Sequence, residues 1–187
     1  IALSKGLSTD AVGLYIEPFQ TRFGWSATVI TLVFSLNRIE SGVLSPVAGY
    51  LTDRVGGRAM VLTGMATIGL GLLLASQIHS LWQFYVTFLI VSAGNSLGGV
   101  TIIWAVMIRW FDRYRGRALG LVNTATIGHW LVPVVAVVIS TSGWRIALAG
   151  SGIAVLAICL PMGLAIRSRP EDYGLVPDGS ASAEPFL

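Results

Sequence analysis

The chain has few charged residues. Only 11% of its 187 residues are Asp, Glu, Lys or Arg, whereas a soluble globular domain carries about 25%. So few charges cannot cover a water-facing surface, and they also exclude a disordered, collagen-like or coiled-coil chain. The composition is instead 54% hydrophobic with a mean hydropathy of +0.76, which is typical of a membrane protein.

Cysteine is also nearly absent. Cys159 is the single cysteine, which excludes an internal disulfide and a metal site built from several cysteines. We expect it to be a small apolar packing residue. The net charge of +3 comes mainly from arginines between apolar runs, which indicates membrane orientation and not nucleic-acid binding. The first run contains Lys5 and Asp10, so it is expected to begin inside a helix and not to be a secretory signal peptide.

Long apolar runs predict membrane-spanning helices. A helix that crosses about 30 Å of hydrocarbon needs about 20 mostly apolar residues, and its backbone must satisfy its own hydrogen bonds. The sequence therefore predicts an all-α, polytopic membrane protein with six transmembrane helices. The predicted spans are residues 1–19, 26–51, 59–77, 81–108, 118–140 and 144–166.

Arginine is distributed unequally between the connections. If the connections alternate between the two sides of the membrane, Arg22 and Arg145 fall on one side. The other side receives Arg54, Arg58, Arg109, Arg113, Arg115, Arg117, Arg167 and Arg169. The positive-inside rule then predicts that both ends of this segment lie in the cytoplasm, with the bundle in the cell membrane. Residues 167–187 are polar and contain three prolines, which predicts a cytoplasmic linker.

The connection between the second and third predicted spans carries a motif. It reads Gly-Tyr-Leu-Thr-Asp-Arg-Val-Gly-Gly-Arg over residues 49–58. Gly49 is expected to let two helices approach closely, and Gly56 and Gly57 to allow a tight reversal with positive φ. Asp53 can accept a hydrogen bond from a helix N-terminus or an arginine.

This loop resembles the signature loop of the major facilitator superfamily. The match includes Gly49, Asp53, Arg54, Gly56 and Arg58, whereas Gly57 stands where the family usually has a basic residue. The resemblance implies a twelve-span transporter of which this chain is the N-terminal six-helix half, partnered by a C-terminal half. It also implies that the loop is a conformational latch, with Asp53 holding the two halves in one conformation.

Further segments resemble one branch of that family. Residues 23–26, 109–120, 143–145 and 169–174 are similar to the monocarboxylate and oxalate–formate transporters. Span four has no basic residue around Asn95, and Pro133 in span five is not preceded by glycine. Both differ from the pattern of drug–proton antiporters, so multidrug export is less expected.

Polar residues recur near mid-depth in four predicted spans. The rise of about 1.5 Å per residue places Asp10, Arg38, Asn95 and His129 at similar depth, where transporters of this type bind solutes. Arg38 and Glu40 are two residues apart, so they point to nearly opposite helix faces. We expect Arg38 to pair with Asp10 or with an anionic solute, and Glu40 to meet another helix. A fixed ion network that only positions helices is the alternative for both.

Other residues have ordinary structural interpretations. Asn95 is a candidate hydrogen-bonding residue between helices, and His129 is either a proton relay or a neutral hydrogen-bonded histidine. Trp25, Trp82, Trp110 and Trp144 lie at span edges and are expected to anchor the bundle at the membrane interfaces. Glycines in spans three and four are expected to mark close helix packing. These are Gly64, Gly69, Gly71, Gly94, Gly98 and Gly99.

These patterns together predict a secondary active transporter that moves a small organic solute by alternating access. Arg38 favours a monocarboxylate-like anion, and coupling to protons is left open. The partners are then the solute, the lipid bilayer and the second half, without cofactor, metal or catalytic residues. The alternatives are a transporter of sugars, nucleosides or drugs, a non-transporting receptor or scaffold, and a membrane-embedded enzyme using Asp10, Glu40 and His129.

Overall fold

The structure is a helical bundle. The computed structural model describes residues 2–111, 113–125 and 131–164, and every regular element within these ranges is helical. Four helices are long and apolar enough to cross a membrane: Ala27–Val55, Gly57–Ala75, Leu81–Ile108 and Trp144–Leu164. The predicted all-α class and spans two, three, four and six are therefore confirmed as apolar helices, whereas a total of six spans stays a prediction.

The first predicted span is not one regular helix. It consists of α1 (Ala2–Lys5), a π-helical turn Gly6–Asp10, a 3-10 turn Val12–Tyr15 and α2 (Ile16–Phe23). The Ala11 N–H donates to the Gly6 carbonyl at 3.1 Å, which closes the wider π turn. Turns of this kind inside helices are frequent at functional sites.

Helices α3 (Ala27–Val55) and α4 (Gly57–Ala75) are joined by one residue. Gly56 has φ +91°, a conformation that favours glycine, so the predicted tight reversal is confirmed at this position. Gly57, in contrast, is helical, and a Cβ there would overlap the Val106 side chain. Close packing, not positive φ, therefore explains a glycine at residue 57.

The fourth predicted span is interrupted. A capping box of Ser80 and Gln83 begins α5 (Leu81–Gly98), and α6 (Val100–Trp110) follows after the extended residue Gly99. A Cβ on Gly99 would collide with the carbonyl oxygen of Asn95 one turn earlier. The predicted span over 81–108 is therefore confirmed in length, with a break between α5 and α6 at Gly99.

The remaining elements form the rest of the bundle. The fifth predicted span contains α7 (Arg115–Ala125) and α8 (Val132–Ser142), with the residues between them outside the described ranges. The sixth consists of α9 (Trp144–Ala154), a π-helical turn Val155–Cys159 and α10 (Leu160–Leu164). Cys159 is buried in the core, as expected of a packing residue.

Glycines hold α4 against two neighbours. A Cβ on Gly98 would lie 2.8 Å from the Gly64 Cα, and one on Gly94 would lie 2.8 Å from the Gly64 carbonyl oxygen. On another face of α4, a Cβ on Gly152 of α9 would lie 2.8 Å from the Gly69 carbonyl oxygen. The prediction of close packing at these glycines is confirmed, since only glycine lets the backbones come this near.

Aromatic rings join the helices at one end of the bundle. Phe19 of α2 packs edge-on against Phe84 of α5 and Trp144 of α9, at centroid distances of 5.4 and 5.1 Å. Phe23 stacks on Trp25 at 4.5 Å. We call this the aromatic end, and we call the opposite end, where Arg54 and Arg58 flank the α3–α4 reversal, the arginine end.

Two tryptophans contribute to the aromatic end. Trp25 and Trp144 belong to this ring cluster and are half-buried, so they join helices to one another, and their expected role as interface anchors stays a prediction. Trp82 is 75% exposed, which agrees with the expected role at an interface.

Candidate functional site

Two side-chain hydrogen bonds align α3 with α5. The Tyr85 hydroxyl donates to the Val29 carbonyl at 2.6 Å, and the Ser96 hydroxyl donates to the Ser41 hydroxyl at 3.2 Å. The paired residues are 56 and 55 positions apart. The two helices therefore run parallel, and each residue of α3 lies level with the residue about 55 positions later on α5.

A cavity of about 670 Å³ opens between α3, α5 and the first helical segments. We call it the central cavity. Its size lies within the range of small-molecule sites, about 300–1,000 Å³. Its described lining residues are Ser8, Thr9, Val12, Phe34, Asn37, Arg38, Ser41, Phe88, Val91, Ser92 and Asn95.

Arg38 is the only charged residue among the described residues that line the central cavity. It lies halfway along α3, on the same face as Phe34 and Ser41, because residues four and seven apart share a helix face. Its side chain is exposed, and it forms no ion pair with any described residue. The expected pairing with Asp10 is thus not observed among the described residues.

Asn95 supplies a polar contact between two elements. Its side-chain nitrogen donates to the Ser8 hydroxyl at 3.3 Å and to the Val91 carbonyl at 3.1 Å. The first bond connects α5 to the π-helical turn of the first segment. Asn95 therefore lines the cavity, and it also forms the expected hydrogen bond between helical elements.

Asp10 and Glu40 are not among the described residues that line the central cavity. Asp10 is half-buried at the end of the π-helical turn. Glu40 is half-buried on α3, with the Ser92 hydroxyl of α5 nearby. Neither of its buried carboxyl oxygens makes a well-formed hydrogen bond within the described residues. His129 lies outside the described ranges.

A second cavity continues towards the arginine end. This lower cavity has a volume of about 400 Å³ and shares Ser41 and Asn95 with the central cavity. Hydroxyl groups and small side chains dominate its wall, and Asp53 lies at its far end. Its described lining residues are Ser41, Ser45, Ala48, Gly49, Thr52, Asp53, Asn95, Ser96, Thr101, Ile102 and Ala105.

The motif loop occupies the last turn of α3 and the first of α4. The Arg54 guanidinium lies over the Tyr50 ring at 4.7 Å from its centroid, a cation–π contact. Gly49 lines the lower cavity, and a Cβ there would meet nothing within 4 Å among the described residues. No helix of the described residues approaches Gly49 closely, so the expected close approach of two helices at this residue stays a prediction.

Several lining residues were not predicted from the sequence. Ser8, Asn37, Ser41 and Ser92 carry no charge, so nothing distinguished them from other polar residues in the spans. Their signal was spacing, since Asn37, Ser41 and Ser45 recur every four residues along one face of α3. No group of three or more His, Cys, Asp or Glu side chains gathers in the described part of the chain.

The chain is similar to proteins with several different functions. It is 28% identical to the membrane sensor protein UhpC of Salmonella typhimurium over 80% of the chain and 34% of that protein. It is 27% identical to rat monocarboxylate transporter 13 over 73% of the chain and 32% of that protein. It is 26% identical to the oxalate:formate antiporter of Oxalobacter formigenes over 82% of the chain and 35% of that protein. The chain thus spans about a third of the length of these relatives.

Family membership has broader support than any single relative. The sequence profile of the Major Facilitator Superfamily matches residues 1–186, which is nearly the whole chain. The helical bundle, its apolar helices and its polar central cavity agree with that match. The chain therefore belongs to the Major Facilitator Superfamily, whose members are membrane transporters for small molecules.

Proposed function

We propose that the chain is the N-terminal six-helix half of a secondary active transporter that moves a small monocarboxylate-like anion by alternating access. The observation that carries this proposal is the position of Arg38 in the central cavity. A guanidinium offers a carboxylate two parallel N–H donors. The surrounding hydroxyls and amides of Ser8, Asn37 and Ser41 can hydrogen-bond the rest of a small solute.

Alternating access needs a second half against which this bundle moves. The central and lower cavities together form a polar path from mid-depth to Asp53 at the arginine end. In the proposed transporter a C-terminal six-helix half covers this path, and residues 167–187 form the cytoplasmic linker to it. Rocking of one half against the other then exposes the site to each side in turn.

Uptake by the full-length protein in proteoliposomes tests the proposal. Labelled lactate, pyruvate, oxalate and formate are supplied separately, with and without a pH gradient. We expect uptake of at least one of these anions and its loss in Arg38→Gln, because the variant removes the charge and the paired donors. A stimulation by an inward proton gradient would establish proton coupling.

Arg22→Gln is the matched control. Arg22 is an exposed arginine near the aromatic end, so its loss changes the net charge equally without touching the cavity. Unchanged uptake in Arg38→Gln would contradict the proposal, and so would the failure of every carboxylate tested to accumulate.

A sensor is the second candidate function, since one relative is named a membrane sensor protein. A sensor binds its solute without moving it. Saturable binding of an anion to the purified full-length protein, together with no uptake into proteoliposomes, would favour this alternative.

A further inference from the structure

The lining of the central cavity changes character along the membrane normal. On α3 the order from the aromatic end is Phe34, then Arg38, then Ser41, with about 6 Å of rise per four residues. On α5, which is parallel and in register, Phe88 lies level with Phe34, and Asn95 lies near the level of Ser41. Towards the aromatic end the cavity wall is therefore apolar, with Phe34 half-buried at its surface and Phe88, 2% exposed, packed behind it. Hydrogen-bonding groups lie on the other side of Arg38.

The first segment repeats this order on the third wall. It runs antiparallel to α3, and its residue nearer the aromatic end is Val12, whereas Ser8 and Thr9 lie nearer the arginine end. Three independent elements therefore agree. The cavity has an apolar compartment bounded by Val12, Phe34 and Phe88, and a polar compartment bounded by Ser8, Ser41 and Asn95.

The smallest carboxylates would leave the apolar compartment empty. Formate and oxalate have no apolar group to place against Phe34. A second carboxylate, as in oxalate, would meet no second cation among the described lining residues.

From this arrangement we infer that the preferred substrates are amphipathic monocarboxylates with one bulky apolar or aromatic group. The carboxylate binds Arg38, the apolar group lies against Phe34 towards the aromatic end, and a hydroxyl or keto oxygen beside the carboxylate faces the polar compartment. Phe34 is then a specificity-determining residue. This inference rests on the proposed function, because it defines the substrate of the same site.

Lactate and phenyllactate form a matched pair of probes. Both carry a 2-hydroxycarboxylate, and they differ only in the phenyl ring. Initial uptake rates of each are measured with the full-length protein in proteoliposomes, after subtraction of uptake into protein-free liposomes. We expect kcat/KM for phenyllactate to exceed that for lactate by roughly tenfold or more, since pocket contacts to an added apolar group discriminate by that order.

Three variants test whether the apolar compartment causes the preference for phenyllactate over lactate. Phe34→Ala is expected to lower the ratio of kcat/KM for phenyllactate to kcat/KM for lactate by roughly tenfold. Phe34→Leu keeps an apolar side chain and should retain most of the preference. Leu32→Ala is the control, because Leu32 is 51% exposed and lies on the opposite face of α3.

The outcomes separate the two proposals. Uptake of lactate with equal or weaker uptake of phenyllactate would overturn the inference and leave the carboxylate transporter intact. Uptake of neither probe, nor of oxalate or formate, would overturn both. The ratio of kcat/KM for phenyllactate to that for lactate in the unmodified protein tests the inference even if Phe34→Ala fails to fold.

Discussion

The close backbone contact between α4 and α5 at Gly64 gives a sharp stability prediction. In Gly64→Ala the new Cβ would lie 2.7 Å from the Gly94 carbonyl oxygen and still nearer to the backbone of Gly98. Both neighbours are backbone atoms, so no side chain can rotate away. Helix α5 must then move from α4 by roughly 1 Å, and a gap of that size forfeits up to about half of each dispersion contact along the interface.

The expected cost follows from overpacking. Added methyl groups in a packed interior cost about 1–3 kcal/mol, and we expect Gly64→Ala to lie at the upper end because the obstacle is rigid. Gly150→Ala in α9 is the control, since its Cβ would meet nothing within 4 Å. There alanine should be neutral or stabilising by up to about 1 kcal/mol, through its better helix propensity.

The free energy of unfolding of the full-length protein in detergent micelles measures both variants. The same pair should also differ in thermal midpoint, with Gly64→Ala unfolding several degrees lower. If Gly64→Ala and Gly150→Ala agree within about 0.5 kcal/mol, the small-residue contact does not hold α4 against α5 and the packing argument fails.

Three further predictions concern other parts of the bundle. Asp53→Ala should lower the turnover of the proposed transporter in proteoliposomes while its membrane insertion, followed by membrane fractionation, stays normal; normal turnover would remove the latch role. Gly57→Ala should lower the thermal midpoint, because its Cβ overlaps the Val106 side chain, and adding Val106→Ala should restore that midpoint in a thermal-shift assay. If the double variant is as unstable as Gly57→Ala alone, the overlap with Val106 does not cause the destabilisation. Tyr85→Phe should lower the free energy of unfolding by about 1 kcal/mol, because it removes the hydrogen bond to the Val29 carbonyl. An unchanged free energy of unfolding would show that this bond does not fix the α3–α5 register.

The features predictable from sequence were those that each helix fixes locally. Apolar run length located α3, α4, α5 and the sixth span within a few residues, because hydrocarbon thickness sets that length. Gly56 was predictable since a one-residue reversal requires positive φ. The packing glycines of α4 and α5 were predictable because small residues at helix interfaces are the general means of close approach in membranes.

The features that were not predictable depend on how helices are placed against one another. Gly49 and Gly57 look alike in the motif, yet one opens onto the lower cavity and the other packs against Val106. The sequence indicates interface anchors at Trp25 and Trp144, but it does not show that both pack against Phe19. The interruption at Gly99 and the π turn before Ala11 are changes of hydrogen-bond pattern inside apolar runs, where hydropathy carries no information.

The candidate site also combines one residue that the sequence identifies with several that it does not. Arg38 stands out in the sequence because a charge at mid-depth costs about 2.5–3.5 kcal/mol or more unless it reaches water or a partner. The residues around it do not stand out, because serine, asparagine and phenylalanine are each tolerated in a membrane helix. Only the register set by the Tyr85 and Ser96 bonds brings them to a common cavity and sorts them into apolar and polar compartments.

The position of Arg38 also explains how such a charge can be retained. Within the described part of the chain its guanidinium faces an open cavity, so water can solvate it while that cavity is accessible. In the proposed transporter, closure of the cavity would remove that water, and the charge would then need a counter-charge to avoid the desolvation cost. A bound carboxylate would supply the counter-charge, and its apolar group would fill the space beside Phe34. The proposed substrate would therefore favour closure, which is the coupling between binding and movement that alternating access requires.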